Sequence, residues 1–220
     1  MKTERLFDSY PYSDKFTAKI VYIGDSLGED YLILDKTLFY PDSGGQVGDS
    51  GFINNVIVNY VGLDDDNNSF SDIRHYMDVS YFQVGQSVFG CIDTTKRLSI
   101  MRLHSARHIV ESILSQWESY ISTGSSLVSD KKVCTDYLMR KDISSESLRV
   151  LELQANNFIH QRIPISAQTE KGVRYWVCGT AKTKCCGTHV GNTAEIGTIK
   201  LSIKNKGKGI NRIELRLLDE

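Results

Sequence analysis

The stretch Thr94–Tyr120, "TTKRLSIMRLHSARHIVESILSQWESY", divides this 220-residue chain into two textures. Within it Ile100, Leu103, Arg107, Val110, Leu114 and Trp117 recur with helical period, which predicts one amphipathic helix. Before it the sequence reads as β. "FTAKIVYIG", "DYLILDKTLFY", "GFINNVIVNYVGL", "HYMDVSYF" and "VGQSVFGCID" are rich in β-branched and aromatic residues and are separated by glycine and aspartate. Short strands at that spacing predict a small glycine-rich barrel, or else a sandwich, over residues 1–93, with the acidic run Asp64–Ser69 as a hairpin tip or surface loop. After it a second helix is expected in "SSESLRVLELQANNFIHQR", opened by Ser144-x-x-Ser147 and stopped before Pro164. The strands "IPISAQTEK", "YWVCGT", "AEIGTIKLSIKNKG" and "INRIELRLL" complete an α+β region over residues 94–220. The fold class is therefore α+β in two domains.

The helix also carries chemistry. His104 and His108 lie four residues apart, so both imidazoles share one face and can chelate one ion. Position 105 is serine, which removes the glutamate base of a zinc protease. Taken alone, the pair reads more readily as two partly exposed histidines. A second pair shifts that balance. In "KCCGTHVGNTAEIG", Lys184–Gly197, Cys185 and His189 repeat the four-residue interval across a glycine turn. A thiolate with three imidazoles is a zinc-type donor set. Cys186 stands three residues from His189 and competes with Cys185, and spacing does not choose between them.

The remaining cysteines, Cys91, Cys134 and Cys178, are expected as core fillers, since an odd count argues against a disulfide framework. His75 and His160 lack partners at ligand spacing and read as surface or packing residues.

A third constellation is "TLFYPDSGGQVGDSG", Thr37–Gly51. Gly44 and Gly45 permit a tight turn and a close backbone approach to a ligand, with Thr37, Gln46 and Asp49 as polar neighbours. It is neither a P-loop nor a dinucleotide fingerprint. Phe39 and Tyr40 are expected to pack beneath it or to line a nucleoside pocket.

The 26 basic and 27 acidic residues nearly cancel, so any nucleic-acid contact must come from a local patch. "KLSIKNKGKGINR" offers one: Lys200, Lys204, Lys206, Lys208 and Arg212, without an acid among them. No apolar run approaches the roughly 20 residues needed to span a bilayer, and the polar start is not a secretory signal. The expected location is the cytoplasm, with no membrane partner.

Four motifs, "TLFYPDSGGQVGDSG", "RLHSARHIVESIL", "CCGTHVGNTAEIGTIKL" and "KGKGINRIELR", occur in the order found in alanyl-tRNA synthetase editing regions. The chain resembles the AlaX group of trans-editing deacylases, in their medium-length form, from about Lys15 to Leu217.

That resemblance implies a zinc-containing editing domain of the threonyl/alanyl second-additional-domain type. One Zn2+ per chain would be held by His104, His108, Cys185 and His189, with Cys186 where the family usually has glycine. It also implies hydrolysis of mischarged tRNA(Ala), chiefly seryl and secondarily glycyl, at the acceptor end, with alanyl-tRNA(Ala) spared. Thr37 would read the serine hydroxyl, with Gln46, Gly44 and Gly45 in the catalytic pocket and Asp49 as a brace. The five basic residues would meet tRNA phosphates. Competing readings are a threonyl-tRNA-type editing deacylase, a non-catalytic zinc-stabilised RNA-binding module and, more weakly, a metal-dependent hydrolase of small esters or amides.

Overall fold

The structure, a computed structural model, describes residues 2–64 and 71–218. Asp65–Ser69 of the expected acidic loop fall outside the described residues. The chain forms two compact units, residues 1–98 and 99–220.

Unit 1 is built from β1 (Glu4–Arg5), a single helical turn α1 (Leu6–Ser9), β2 (Lys15–Ser26), β3 (Glu29–Leu34), β4 (Lys36–Thr37), β5 (Gly51–Ile53), β6 (Val56–Val58), β7 (Tyr60–Leu63), β8 (Ile73–Tyr76) and β9 (Ser87–Ile92). Seven of these strands make one sheet, in the order β6-β5-β9-β2-β3-β8-β7. Strand β2 carries the bend: Lys15–Lys19 pair with β9, and a bulge between Ile20 and Tyr22 hands the rest to β3. The two edge strands, β6 and β7, are consecutive in the chain and separated only by Asn59. The chain therefore passes directly from one edge of the sheet to the other.

Those edges share no ladder among the described residues, so the barrel expected from the sequence is not closed. Three- and four-residue edge strands are too short, and Asn59 spends its N–H on Tyr76 of β8. Ile20, Leu32, Leu34, Phe39, Ile53, Val61 and Ile73 pack into one hydrophobic core.

The helix α2 (Thr94–Leu114) crosses from one unit into the other. Asp93 caps it, its carboxylate accepting from Lys96 N–H at 3.0 Å. It ends six residues before Tyr120. The side chains of Ser115 and Gln116 both turn back to the Ser112 carbonyl, offering the backbone an alternative to a further turn.

Unit 2 continues with β10 (Tyr120–Val128), β11 (Val133–Met139), α3 (Ser145–Ile159), β12 (Ile165–Glu170), β13 (Val173–Cys178), β14 (Ala181–Lys184), β15 (Ile199–Asn205) and β16 (Ile210–Leu217). Two antiparallel sheets result, β10-β11-β16-β15 and β12-β13-β14. The cap on α3 is the expected one, Ser144 Oγ accepting from Ser147 N–H. This helix also shields the edge of β15. Asn156 donates to Ile199 O and accepts from Ile199 N–H, and Glu152 accepts from Leu201 N–H, so side chains complete the ladder. The hairpin β10–β11 has no counterpart in the sequence reading. Its first strand, "YISTGSSLV", is polar and largely exposed, so no apolar alternation marks it.

Candidate metal centre

Four side chains meet in unit 2. His104 and His108 project from the same face of α2 with their rings stacked 4.9 Å apart, and both are buried. Cys185 follows β14, where its N–H extends the ladder to Arg174 O at 3.0 Å. The Arg174 guanidinium then donates to the carbonyls of Cys186 and Gly187, at 3.1 and 2.9 Å, and fixes the turn that returns His189. Ser105, the residue that breaks the protease motif, accepts the Val190 N–H and ties this turn to α2.

Cys185 Sγ lies 3.5 Å from His104 Nε2 and 3.6 Å from His189 Nε2. One donor atom from each of the four residues falls within 4.8 Å of the others. The structure thus selects Cys185; Cys186 is exposed and is not in the cluster.

These residues fit a cation. His108 Nε2 is buried with no hydrogen-bond partner, an arrangement that costs free energy unless something accepts its lone pair. Burial lowers the pKa of all three imidazoles, His104 to about 3, and so holds them neutral with lone pairs available. The same burial pushes the Cys185 thiol up to about 11; a bound cation would favour its thiolate. Trp176 stacks against His108 at 4.9 Å, so that ring is held between Trp176 and His104.

In unit 1 the glycine turn is a two-residue hairpin. Ser43 and Gln46 exchange backbone hydrogen bonds across Gly44 (φ 60°) and Gly45 (φ 80°), both of which demand the left-handed region. Gln46 is buried. Asp49 braces the loop, as read from the sequence. It accepts from Tyr40 N–H and receives both Nε and Nη2 of Arg97, whose guanidinium also donates to Leu38 O and Pro11 O. That anchoring places the first turn of α2 in unit 1.

Thr37 is wholly buried, its hydroxyl 2.9 Å from His75 Nε2 and accepting from Phe39 N–H at 3.1 Å. His75 is therefore a core residue, the packing alternative of the sequence reading, and its partner, 38 residues away, is what spacing could not show. Phe39 and Tyr40 are buried in the same core. His160 is exposed at the C-cap of α3. Of the three cysteines expected as core fillers only Cys178 is fully buried; Cys91 and Cys134 lie partly at the surface because they sit on the outer face of their strands.

The basic run is less bare than it reads. Lys206 and Arg212 both pair with Asp136 of β11, and Lys200 pairs with Glu152 of α3. Lys204 and Lys208 are exposed, the latter at φ 54° in the β15–β16 turn. The acids that neutralise the run come from distant segments, which is why the linear sequence shows none.

Residues 12–96 match the family described as "tRNA synthetases class II (A)", and residues 178–214 match the "Threonyl and Alanyl tRNA synthetase second additional domain". Alanine–tRNA ligases align over nearly the whole chain. That of Ignicoccus hospitalis is 31% identical across 96% of this chain and 26% of its own length. That of Methanococcus maripaludis is 30% identical across 97% and 26%, and that of Sulfurisphaera tokodaii 28% identical across 96% and 26%. The chain is alanyl-tRNA synthetase editing-domain-like. It spans about a quarter of the length of these relatives. The four-residue cluster that could hold a metal draws Cys185 and His189 from the matched additional domain and His104 and His108 from helix α2. No described helix is long and apolar enough to cross a membrane.

Proposed function

We propose that this protein is a zinc-containing aminoacyl-tRNA deacylase acting in the cytoplasm on tRNA(Ala) mischarged with serine, with glycine as a second substrate, and sparing alanyl-tRNA(Ala). The observation that carries this is the convergence of His104, His108, Cys185 and His189 in a chain of this family. The physical need is general. A pocket built for alanine rejects a residue that adds only a hydroxyl by about 10–200-fold, whereas a site that hydrogen-bonds the hydroxyl discriminates by roughly 10⁴ to 10⁵.

The neutral imidazoles and the Cys185 thiolate would hold one Zn2+. A bound Zn2+ supplies polarisation of an ester carbonyl or of a water. Gln46 donates to the ester carbonyl or orients the water, and Gly44 and Gly45 let the backbone approach the acyl group. Thr37 reads the serine hydroxyl. With His75 Nδ1 directed to Leu32 O, His75 Nε2 takes the Thr37 proton, and one lone pair of Thr37 Oγ1 is left for a substrate hydroxyl to donate to. Because Thr37 is wholly buried, this reading requires the turn to open. Lys200, Lys204, Lys206, Lys208 and Arg212 supply phosphate contacts at the acceptor end, Lys204 and Lys208 most directly.

The test is deacylation of seryl-, glycyl- and alanyl-tRNA(Ala) by purified protein of measured zinc content, with and without chelator. Metal-dependent loss of serine with alanine retained supports the reading. Bound zinc without turnover of any ester would leave a zinc-stabilised RNA-binding module instead.

A further inference from the structure

Behind His108, on the edge away from the cluster, lie two charges of opposite sign. Glu111 Oε2 is 3.9 Å from His108 Nδ1, just beyond hydrogen-bond reach, and Arg107 Nη1 is 3.5 Å from the same nitrogen, at the outer limit of a hydrogen bond, so the two compete for it across a small displacement. Both side chains are largely buried. Glu111 is itself held. Its Oε1 accepts from Thr123 Oγ1 at 2.6 Å, Thr123 is linked to the Tyr120 hydroxyl at 2.8 Å, and Arg107 Nη2 stands 3.1 Å from Oε2. Even so, Glu111 Oε2 and Arg107 Nε are buried without a hydrogen-bond partner. Together with His108 Nε2 and Trp176 Nε1, they concentrate four unsatisfied polar atoms around one imidazole.

The chemistry of these neighbours is one-directional. A guanidinium only donates, and an ionised carboxylate only accepts. A neutral imidazole carries its proton on one nitrogen at a time, and the partner of one nitrogen decides what the other can do. If Nδ1 gives its proton to a carboxylate acceptor, Nε2 presents a lone pair to the cluster. If Nδ1 accepts from Arg107, the proton must sit on Nε2, and that nitrogen cannot ligate. The stacking of Trp176 and His104 on the two ring faces leaves the ring little freedom to escape the choice.

We propose that Glu111 and Arg107 are opposed positioning residues for the metal centre: Glu111 selects the His108 tautomer that ligates through Nε2, and Arg107 works against it. This rests on the reading of His104, His108, Cys185 and His189 as metal ligands, but not on any hydrolytic activity. Outer hydrogen-bond partners of ligating histidines commonly account for about 10–100-fold in metal affinity. Arg107 adds a cationic charge beside a cationic ion, so its removal acts in the direction opposite to removal of Glu111.

The experiment is competition for Zn2+ alone between a chelator of known affinity and the full chain, with no tRNA present. Wild type, Glu111→Gln, Arg107→Leu and Thr123→Val are compared, with circular dichroism and thermal unfolding of each as the fold control. Glu111→Gln should weaken zinc by about 10–100-fold and Arg107→Leu should tighten it several-fold. Thr123→Val, which frees Glu111 without removing it, should weaken it slightly. Long-range ¹⁵N correlation spectra of the zinc-loaded wild type should show the His108 proton on Nδ1, a signature that a merely structural role would not produce. Equal zinc affinity in folded Glu111→Gln and wild type overturns the proposal. So does a shift of the same sign in Glu111→Gln and Arg107→Leu, or a zinc-loaded wild type whose His108 proton is not on Nδ1. If the Gln variant does not fold, the signs for Thr123→Val and Arg107→Leu decide. Absence of deacylation by the zinc-loaded wild type, with these affinity shifts as expected, would instead count against the functional reading alone.

Discussion

The two units treat buried polarity in opposite ways. In unit 1 the wholly buried charges and hydroxyls answer one another: Asp49 accepts from Tyr40 N–H and from two nitrogens of Arg97, and Thr37 lies between His75 and Phe39 N–H. The two unpartnered buried atoms there among the described residues, Arg5 Nε and Arg74 Nε, are scattered and belong to guanidiniums bonded through other nitrogens. In unit 2 the unsatisfied atoms Arg107 Nε, His108 Nε2, Glu111 Oε2 and Trp176 Nε1 crowd beside one donor cluster. A closed network specifies a fold and is costly to break; an open one is costly to keep and is retained where a ligand completes it. The comparison predicts that damage to unit 1 will register as lost stability, and damage to the cluster as lost binding.

The largest effect should come from the cluster. Cys185→Ser is expected to lower zinc affinity by more than the about 100-fold ceiling typical of outer-partner mutations, and to take metal-dependent deacylation with it. Chemical unfolding in the presence of chelator should move by no more than about 1 kcal/mol, because serine keeps a polar group of similar size facing His104 and His189. A large loss of stability in chelator would mean that the cluster is a folding element, and the contrast between the units would collapse.

The converse experiment is Arg97→Met. It leaves Asp49 ionised and buried without its cation, a situation that costs about 3–5 kcal/mol. Urea unfolding should show that loss while zinc affinity stays within about twofold of wild type, since sites without shared partners behave additively.

A third effect is carried by pH. Burial lowers the His75 pKa to about 4, against about 6.5 in an unfolded chain. Between those values the unfolded state holds the extra proton, so this contribution is complete above about pH 6.5 and is lost as pH falls towards 4. The span corresponds to about 3 kcal/mol. His75→Gln should remove that dependence, so the wild-type minus variant difference in unfolding free energy should shrink on acidification. A constant difference would show that His75 takes up its proton as readily in the fold as in the unfolded chain.

What the sequence revealed follows the same division. The four-residue spacing of His104 and His108 on a periodic helix, and its echo in Cys185 and His189, were legible because helix and turn geometry are local. Spacing did not choose Cys185 over Cys186, a choice that only the family resemblance made, because the turn depends on Arg174, twelve residues away, bonding the Cys186 and Gly187 carbonyls. The strands of unit 1 were legible from their aliphatic runs, but the open sheet was not, since closure depends on the lengths and ladders of β6 and β7. Strand β10 went unseen because its exposed Ser, Thr and Gly carry no period. The Arg107–Glu111 pair has the spacing of any i,i+4 helix pair, and nothing in that spacing marks its position behind His108.

The smallest predicted effect is the most direct probe of whether unit 1 does more than fold. Gly44 has φ 60°, and a methyl group there would meet nothing closer than the Tyr40 hydroxyl at 4.0 Å. Gly44→Ala therefore costs only the backbone penalty of the left-handed region, roughly 1–2 kcal/mol, and Gly44→Asn less, because asparagine tolerates that region. If the turn is only a hairpin loop, deacylation by the folded fraction should be unchanged in both variants. If the backbone there must approach the acyl group, as proposed, both should lose kcat/KM by much more than the unfolded fraction explains. Asparagine, the better tolerated for the fold, should be the worse for catalysis, because its larger side chain obstructs that approach.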